Sequence, residues 1–149
     1  MKEVILNVNK EDVYEEVAKT TSYTGAKMDS DDGYDRIFTT DEDQAMLERF
    51  WSECKSSICN SLKKVLVSEL ETEGEYQLRL GLSTAFDESL TDSMQRSLFS
   101  FFVMMITAKW YTFTNKEEVT GYAAEAATYI EDIQRKAFFK RKPTRPTYN

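Results

Sequence analysis

Residues 39–65 read T-T-D-E-D-Q-A-M-L-E-R-F-W-S-E-C-K-S-S-I-C-N-S-L-K-K-V. Within them Leu47, Phe50, Trp51, Cys54, Ile58, Leu62 and Val65 follow one another at steps of three and four. That spacing draws one apolar stripe along a helix of five turns or more. Thr39 and Glu42 stand three apart ahead of the stripe, the pattern of a capping box.

Downstream the period changes. Val65 and Val67 alternate, Glu73-Gly74 offers a turn, and Tyr76, Leu78, Leu80 and Leu82 alternate with Gln77, Arg79 and Gly81. Period two on the return arm predicts a β-hairpin near 65–83. Upstream, E-V-I-L-N-V at 3–8 reads as a short strand, and with the hairpin it makes a small three-stranded sheet. Asn9 is an N-cap, with Glu11 and Asp12 in the turn that follows. Val13, Val17, Thr20, Thr21 and Thr24 continue a first helix, with Gly25 as its stop. Residues 27–38 form a loop rich in Asp, Ser and Gly.

Beyond the hairpin a second long helix is predicted from near Asp87 to Phe113. Its middle, L-F-S-F-F-V-M-M-I at 98–106, is apolar on nearly every face. Such a helix is surrounded, either by its own fold or by neighbouring subunits. Phe99, Phe102, Met105 and Trp110 are the residues that would carry an oligomer interface. Thr114 and Glu117 repeat the capping-box spacing, and a last helix runs to about Phe139. Its stripe is Val119, Tyr122, Ala126, Ile130, Ile133 and Ala137, flanked by Ala123, Ala124 and Ala127. The two prolines, Pro143 and Pro146, come only after it. The expected fold is therefore mainly α: an antiparallel helical bundle of about four helices with a small β-hairpin and an extended C-terminal tail. One helical domain covers 1–139 and a basic arm covers 140–149.

A chain of 149 residues, 41% hydrophobic and 13% aromatic, is long enough to bury a core without staples. Its net charge of −7 is unevenly placed. All 26 acidic residues lie at or before Asp132, against 13 basic residues there, so the body carries −13. The remaining six basic residues are Arg135, Lys136, Lys140, Arg141, Lys142 and Arg145. A body so acidic repels a duplex, which argues against general DNA binding through the folded part. In K-R-K-P-T-R-P-T-Y-N the basic residues are interleaved with prolines and aromatics. Phe138, Phe139, Lys140, Arg141, Lys142, Arg145 and Tyr148 are thus candidates for docking onto an acidic surface.

Chemistry is poorly represented. The chain has no histidine, which removes the commonest general base, the commonest metal ligand and every Ser-His or Cys-His pair. Its five scattered glycines make neither a P-loop nor a GxGxxG, and no CxxC occurs. An EF-hand register on Asp29–Gly33 would place Met28 and Thr39 at ligand positions that need oxygen-rich acids, so that motif fails. Carboxylates such as Glu15, Glu16, Glu42, Glu48, Glu53 and Asp132 read as solvated helix faces. No metal, no cofactor and no catalytic residue is expected. Cys54 and Cys59 are five apart, roughly 140° around a helix, and cannot bridge each other. Free thiols suit a reducing compartment. The start of the chain does not read as a signal peptide, and the most apolar run, 98–106, is about half the ~20 residues of a membrane span. The expected setting is a bacterial-type cytoplasm, without a membrane.

The order of elements, together with K-W-Y-T-F-T-N-K-E-E-V-T-G-Y-A-A-E-A, then Y-I-E-D-I-Q-R-K, then K-R-K-P-T-R-P, resembles the small head–tail connector, or head-completion, proteins of tailed phages. The resemblance covers Lys109 to Pro146, and the rest only by element order. It implies a non-enzymatic virion protein, forming a ring-like homo-oligomer with long helices side by side. Its neighbours would be portal and tail proteins, and genomic DNA would pass through an acidic-lined channel. The competing reading of the acidic body is a small phage-encoded inhibitor or DNA mimic that binds a host factor. A mimic would need its acidic residues in register on one face, and would gain little from a basic tail.

Overall fold

The computed structural model describes residues 1–27 and 41–139. The Thr39 capping box, the Asp29–Gly33 loop and the arm from Lys140 onward, all expected from the sequence, lie outside the described residues. The described chain is mainly helical, with four α-helices and one three-stranded antiparallel sheet.

The chain opens with β1 (Lys2–Asn9), whose Val4, Leu6 and Val8 are buried while Glu3, Ile5 and Asn7 face out. Asn9 Oδ1 accepts from the Asp12 backbone N–H at 3.0 Å, so the predicted N-cap starts α1 (Lys10–Lys27). Gly25 does not end that helix, which runs on to Lys27. A single glycine costs a helix interior only about 1 kcal/mol relative to alanine. Val13, Val17 and Thr21 line its buried side; the Thr21 hydroxyl is spent on the Val17 carbonyl at 2.8 Å.

α2 (Asp41–Ser61) buries the stripe read from sequence: Leu47, Phe50, Trp51, Cys54 and Ile58, with Leu62 just beyond. The hairpin follows as β2 (Leu66–Thr72) and β3 (Glu75–Leu82). Glu73 and Gly74 both have positive φ, 51° and 83°, the two-residue turn whose twist matches antiparallel strands. The Lys10 N–H donates to the Gly74 carbonyl at 2.8 Å, which ties the hairpin tip to the start of α1. Strand order is β1-β3-β2, so the N-terminal strand joins the hairpin with β3 in the centre. Tyr76, Leu78, Leu80 and Leu82 of β3 point into the core.

A 3-10 turn at Glu88–Leu90 leads into α3 (Thr91–Thr114). This helix packs on α4, α1, β1 and α2, and that explains its all-round apolarity: its own fold surrounds it. The capping box expected at Thr114 is not made. Thr114 ends α3 instead, its hydroxyl donating to the Trp110 carbonyl at 3.1 Å, and a second 3-10 turn at Lys116–Glu118 starts α4 (Val119–Ala137). Ala126, Ile133 and Ala137 bury the centre of the α4 stripe, with Val119, Tyr122 and Ile130 packed beside them. One continuous core links all seven elements, and the Trp51, Tyr76 and Phe102 rings meet at its middle, 4.7 to 6.1 Å apart.

Candidate functional site

The aromatic pair at the root of the basic arm stands at the end of α4. The Phe138 N–H donates to the Gln134 carbonyl at 3.0 Å and the Phe139 N–H to that of Lys136 at 3.2 Å, closing the last turn. Their side chains are nevertheless 45% and 48% exposed. Phe138 borders a shallow concavity with Glu131, Gln134 and Arg135. The platform beneath them is rigidly held. Gln134 Nε2 donates to the Ser61 carbonyl at 3.0 Å, and Asp132 accepts from Ser97 at 2.6 Å and Lys136 at 2.7 Å. The Lys136 ammonium also reaches the Ser93 hydroxyl. Burial pushes the Asp132 carboxyl up, but Lys136 and Ser97 outweigh it and hold the group below its usual value. Lys140, Arg141, Lys142, Arg145 and Tyr148 lie outside the described residues.

The four α3 residues expected at an oligomer interface are not brought to one surface. Phe102 is fully buried and Trp110 nearly so, both inside the core of a single chain, so neither is available to a neighbour. Phe99 and Met105 are half-buried and pack against that same core. Phe99 edges a groove with Asn7, Val8 and Gln95. The reason is geometric: the sheet and three helices occupy the sides of α3 that a second subunit would need. Phe113, one turn further on, is the exposed aromatic of α3, stacked on Phe50 with ring centroids 6.3 Å apart.

A polar network that the sequence did not disclose runs beneath the hairpin. Glu69 and Glu71 lie opposite Leu78 and Tyr76 on β3, so they share the sheet face that α2 covers. Glu71 accepts from the Trp51 indole at 2.9 Å and pairs with Lys55 at 2.5 Å and Lys10 at 3.8 Å. Lys10 also pairs with Glu48 at 2.6 Å, and its ammonium lies 5.7 Å from the Trp51 ring centroid. Glu48 accepts from the Tyr14 hydroxyl at 3.1 Å. Glu69 accepts from the Tyr76 hydroxyl and from the Cys59 thiol, the latter at 2.9 Å. The Cys59 thiol and the Tyr76 hydroxyl, both donating to it, hold Glu69 below its usual value. Burial works against Glu71, yet Lys55 and Trp51 prevail and depress it too.

The same network keeps its acidic protons in place. Burial, then Glu48, raises Tyr14 far above an ordinary phenol; burial, then Cys59 and Glu69, does the same to Tyr76. Burial pushes the Cys54 thiol up to about 12 and, with the Glu69 carboxylate, Cys59 up to about 11. A thiol that stays protonated at neutral pH is a poor nucleophile. The bonds of the cluster tie α1, α2 and β2 to one another. Among the described residues no three His, Cys, Asp or Glu side chains converge to hold a metal ion, and no helix is long and apolar enough to cross a membrane. Comparison of the chain with protein-family models, curated proteins and solved structures finds no match.

Proposed function

We propose that this chain is a non-enzymatic virion structural protein, a head–tail connector subunit that forms an oligomeric ring between portal and tail. In this reading the helices pack as an antiparallel bundle and residues 140–149 extend from it as a docking arm. The observation that carries it is the placement of Phe138 and Phe139. Two consecutive phenylalanines stand about half exposed on a braced helix end, immediately before four of the chain's basic residues. An apolar foothold next to a basic segment, on a body carrying 26 acidic residues, suits docking on the acidic flank of a neighbouring subunit or virion protein. The resemblance of Lys109–Pro146 to connector proteins supports this choice of assembly.

The test is mass in solution combined with negative-stain imaging of the full chain, of a truncation after Phe139, and of the full chain in high salt. The connector reading expects rings or ordered arrays, weakened by truncation and by salt, with the melting temperature of the subunit nearly unchanged. A monomer that titrates a DNA-binding host protein would replace this reading with the inhibitor or DNA mimic. Acidic residues do line the hairpin at 69, 71, 73 and 75, but Glu71 is paired with Lys55 and Lys10 and Glu69 accepts from Tyr76 and Cys59, so the row is partly neutralised from within the chain.

A further inference from the structure

A groove runs between α1 and α2. Tyr14, Ala18, Leu47 and Gln44 line it, and Glu11, Asp12 and Glu15 form its rim. Leu47 is buried, and Tyr14 and Ala18 are half-buried. The three rim carboxylates are exposed, and none has an ion pair among the described residues. Lys10, at the head of α1, is committed to Glu48 and Glu71, and Lys19 lies beyond the lining. An apolar floor with an unneutralised acidic rim fits a segment that carries bases and apolar surface together. Residues 140–149, K-R-K-P-T-R-P-T-Y-N, are such a segment, with four bases, Tyr148 and no acid. The stretch 28–40 has four aspartates and one arginine, the same sign as the rim, so it does not match.

Reach decides which copy supplies the arm. α3 is antiparallel to α4, with Ser97 beside Asp132 and Tyr111 beside Tyr122. It is also antiparallel to α2, with Lys109 beside Glu53 and Phe113 beside Phe50. α2 and α4 therefore run the same way, and Gln134 meets Ser61 near their C-terminal ends. Leu47 lies fourteen residues back from Ser61, about 21 Å along α2. Phe139 lies five residues past Gln134, which adds about 7 Å. The arm thus leaves the fold roughly 28 Å from its own groove, whereas Arg145, its last base, extends at most about 20–22 Å from Phe139. We propose that the arm of one copy lies in the α1–α2 groove of the next, its bases on Glu11, Asp12 and Glu15 and its side-chain stems on Tyr14 and Ala18. The inference rests on the reading of 140–149 as a docking arm and adds its acceptor. Arm and groove stand at opposite ends of α2, so the contact joins unlike surfaces head to tail and repeats from copy to copy until a ring closes.

The test is zero-length carbodiimide coupling of the full chain, mixed from equal parts of ordinary and isotope-labelled copies and read by peptide mass spectrometry. The expected products join Lys140 or Lys142 to Glu11, Asp12 or Glu15 in peptides that combine the two isotopes. Light scattering gives a second readout, with circular dichroism to verify folding. Glu11→Lys with Glu15→Lys, both at exposed sites, is expected to raise the concentration of half-assembly by about tenfold, and adding Lys140→Glu with Lys142→Glu restores it. The coupling needs no variant and decides the matter if the reversed chain fails to fold. The proposal is overturned by coupling of the arm to Glu117, Glu118 or Glu125 instead, by products confined to one copy, by assembly that the rim reversal leaves unchanged, or by a chain that stays monomeric at its highest soluble concentration. Rings whose arms couple elsewhere overturn this acceptor and leave the connector reading intact. The expected products on open strings of copies, with no ring on the grid, uphold the acceptor and remove the connector reading.

Discussion

The Gln95 amide on α3 takes both backbone groups of Asn7 on β1, acting as a one-residue strand at that edge. Gln95→Ala leaves an N–H and a carbonyl at the edge to water or to another chain. At about 0.5–1.5 kcal/mol for each hydrogen bond, the variant is expected to lose about 1–3 kcal/mol of stability in urea. Amide exchange at Asn7 should quicken more than at buried Val8, and aggregation should increase. Unchanged exchange at Asn7 would show that the clamp does not protect the edge.

Phe102 and Met105 separate core from surface on the same helix. Phe102 touches Trp51 and Tyr76 with no exposure, so Phe102→Ala is expected to cost about 3–5 kcal/mol, and Phe102→Glu to unfold the chain. Met105 is half-buried, and Met105→Glu should remain folded with a lower melting temperature. Thermal melts of the three variants decide it; equal damage from both Glu variants would mean that Met105 is as enclosed as Phe102.

Thr107 sits fully buried in α3 with no hydrogen-bond partner for its hydroxyl among the described residues. Thr107→Val keeps the shape and removes an unsatisfied polar group, which costs roughly 1–3 kcal/mol when buried. The variant is expected to melt higher than the parent. A lower melting temperature would mean that the hydroxyl has a partner after all.

Glu69, Glu71, Glu53 and Asp132 all titrate below their ordinary values of 4.5 for Glu and 3.8 for Asp. A carboxyl whose folded pKa is depressed contributes stability that is present above the unfolded value and is lost as pH falls through the folded one. Stability is therefore expected to hold from neutral pH down to about 4.5, then to fall steadily in more acid solution. Glu71→Gln should lower the plateau and make the acid limb shallower, read by denaturant melts across pH. An unchanged acid limb would place the titrating groups elsewhere.

The thiols offer a direct check on burial. With Cys54 pushed up to about 12 and enclosed, and Cys59 up to about 11 and half-covered, a thiol reagent at pH 8 should react slowly with Cys59 and not with Cys54. Both should react at once in denaturant. Rapid labelling of Cys54 in the native protein would indicate local opening of α2.

Much of this architecture is local and therefore legible in the residues themselves. The α2 stripe, the Asn9 cap, the Glu73-Gly74 turn and the β3 alternation each follow from spacing within a few residues, because helix and strand periodicity place neighbours on a common face. At Thr114 local spacing misleads: the hydroxyl had a nearer acceptor in its own helix, the Trp110 carbonyl. The long-range choices were made only in three dimensions. Phe102 and Trp110 are core and not interface because sheet and helices arrive on the same sides of α3 from distant parts of the chain. Gln95 closes one edge across 88 positions, while Glu71 meets Lys55, Trp51 and Lys10 from two other elements. No spacing rule reaches such pairs. Which polar groups meet, and which edge stays open, depends on how the finished elements stack, and that is set by burying every apolar face at once.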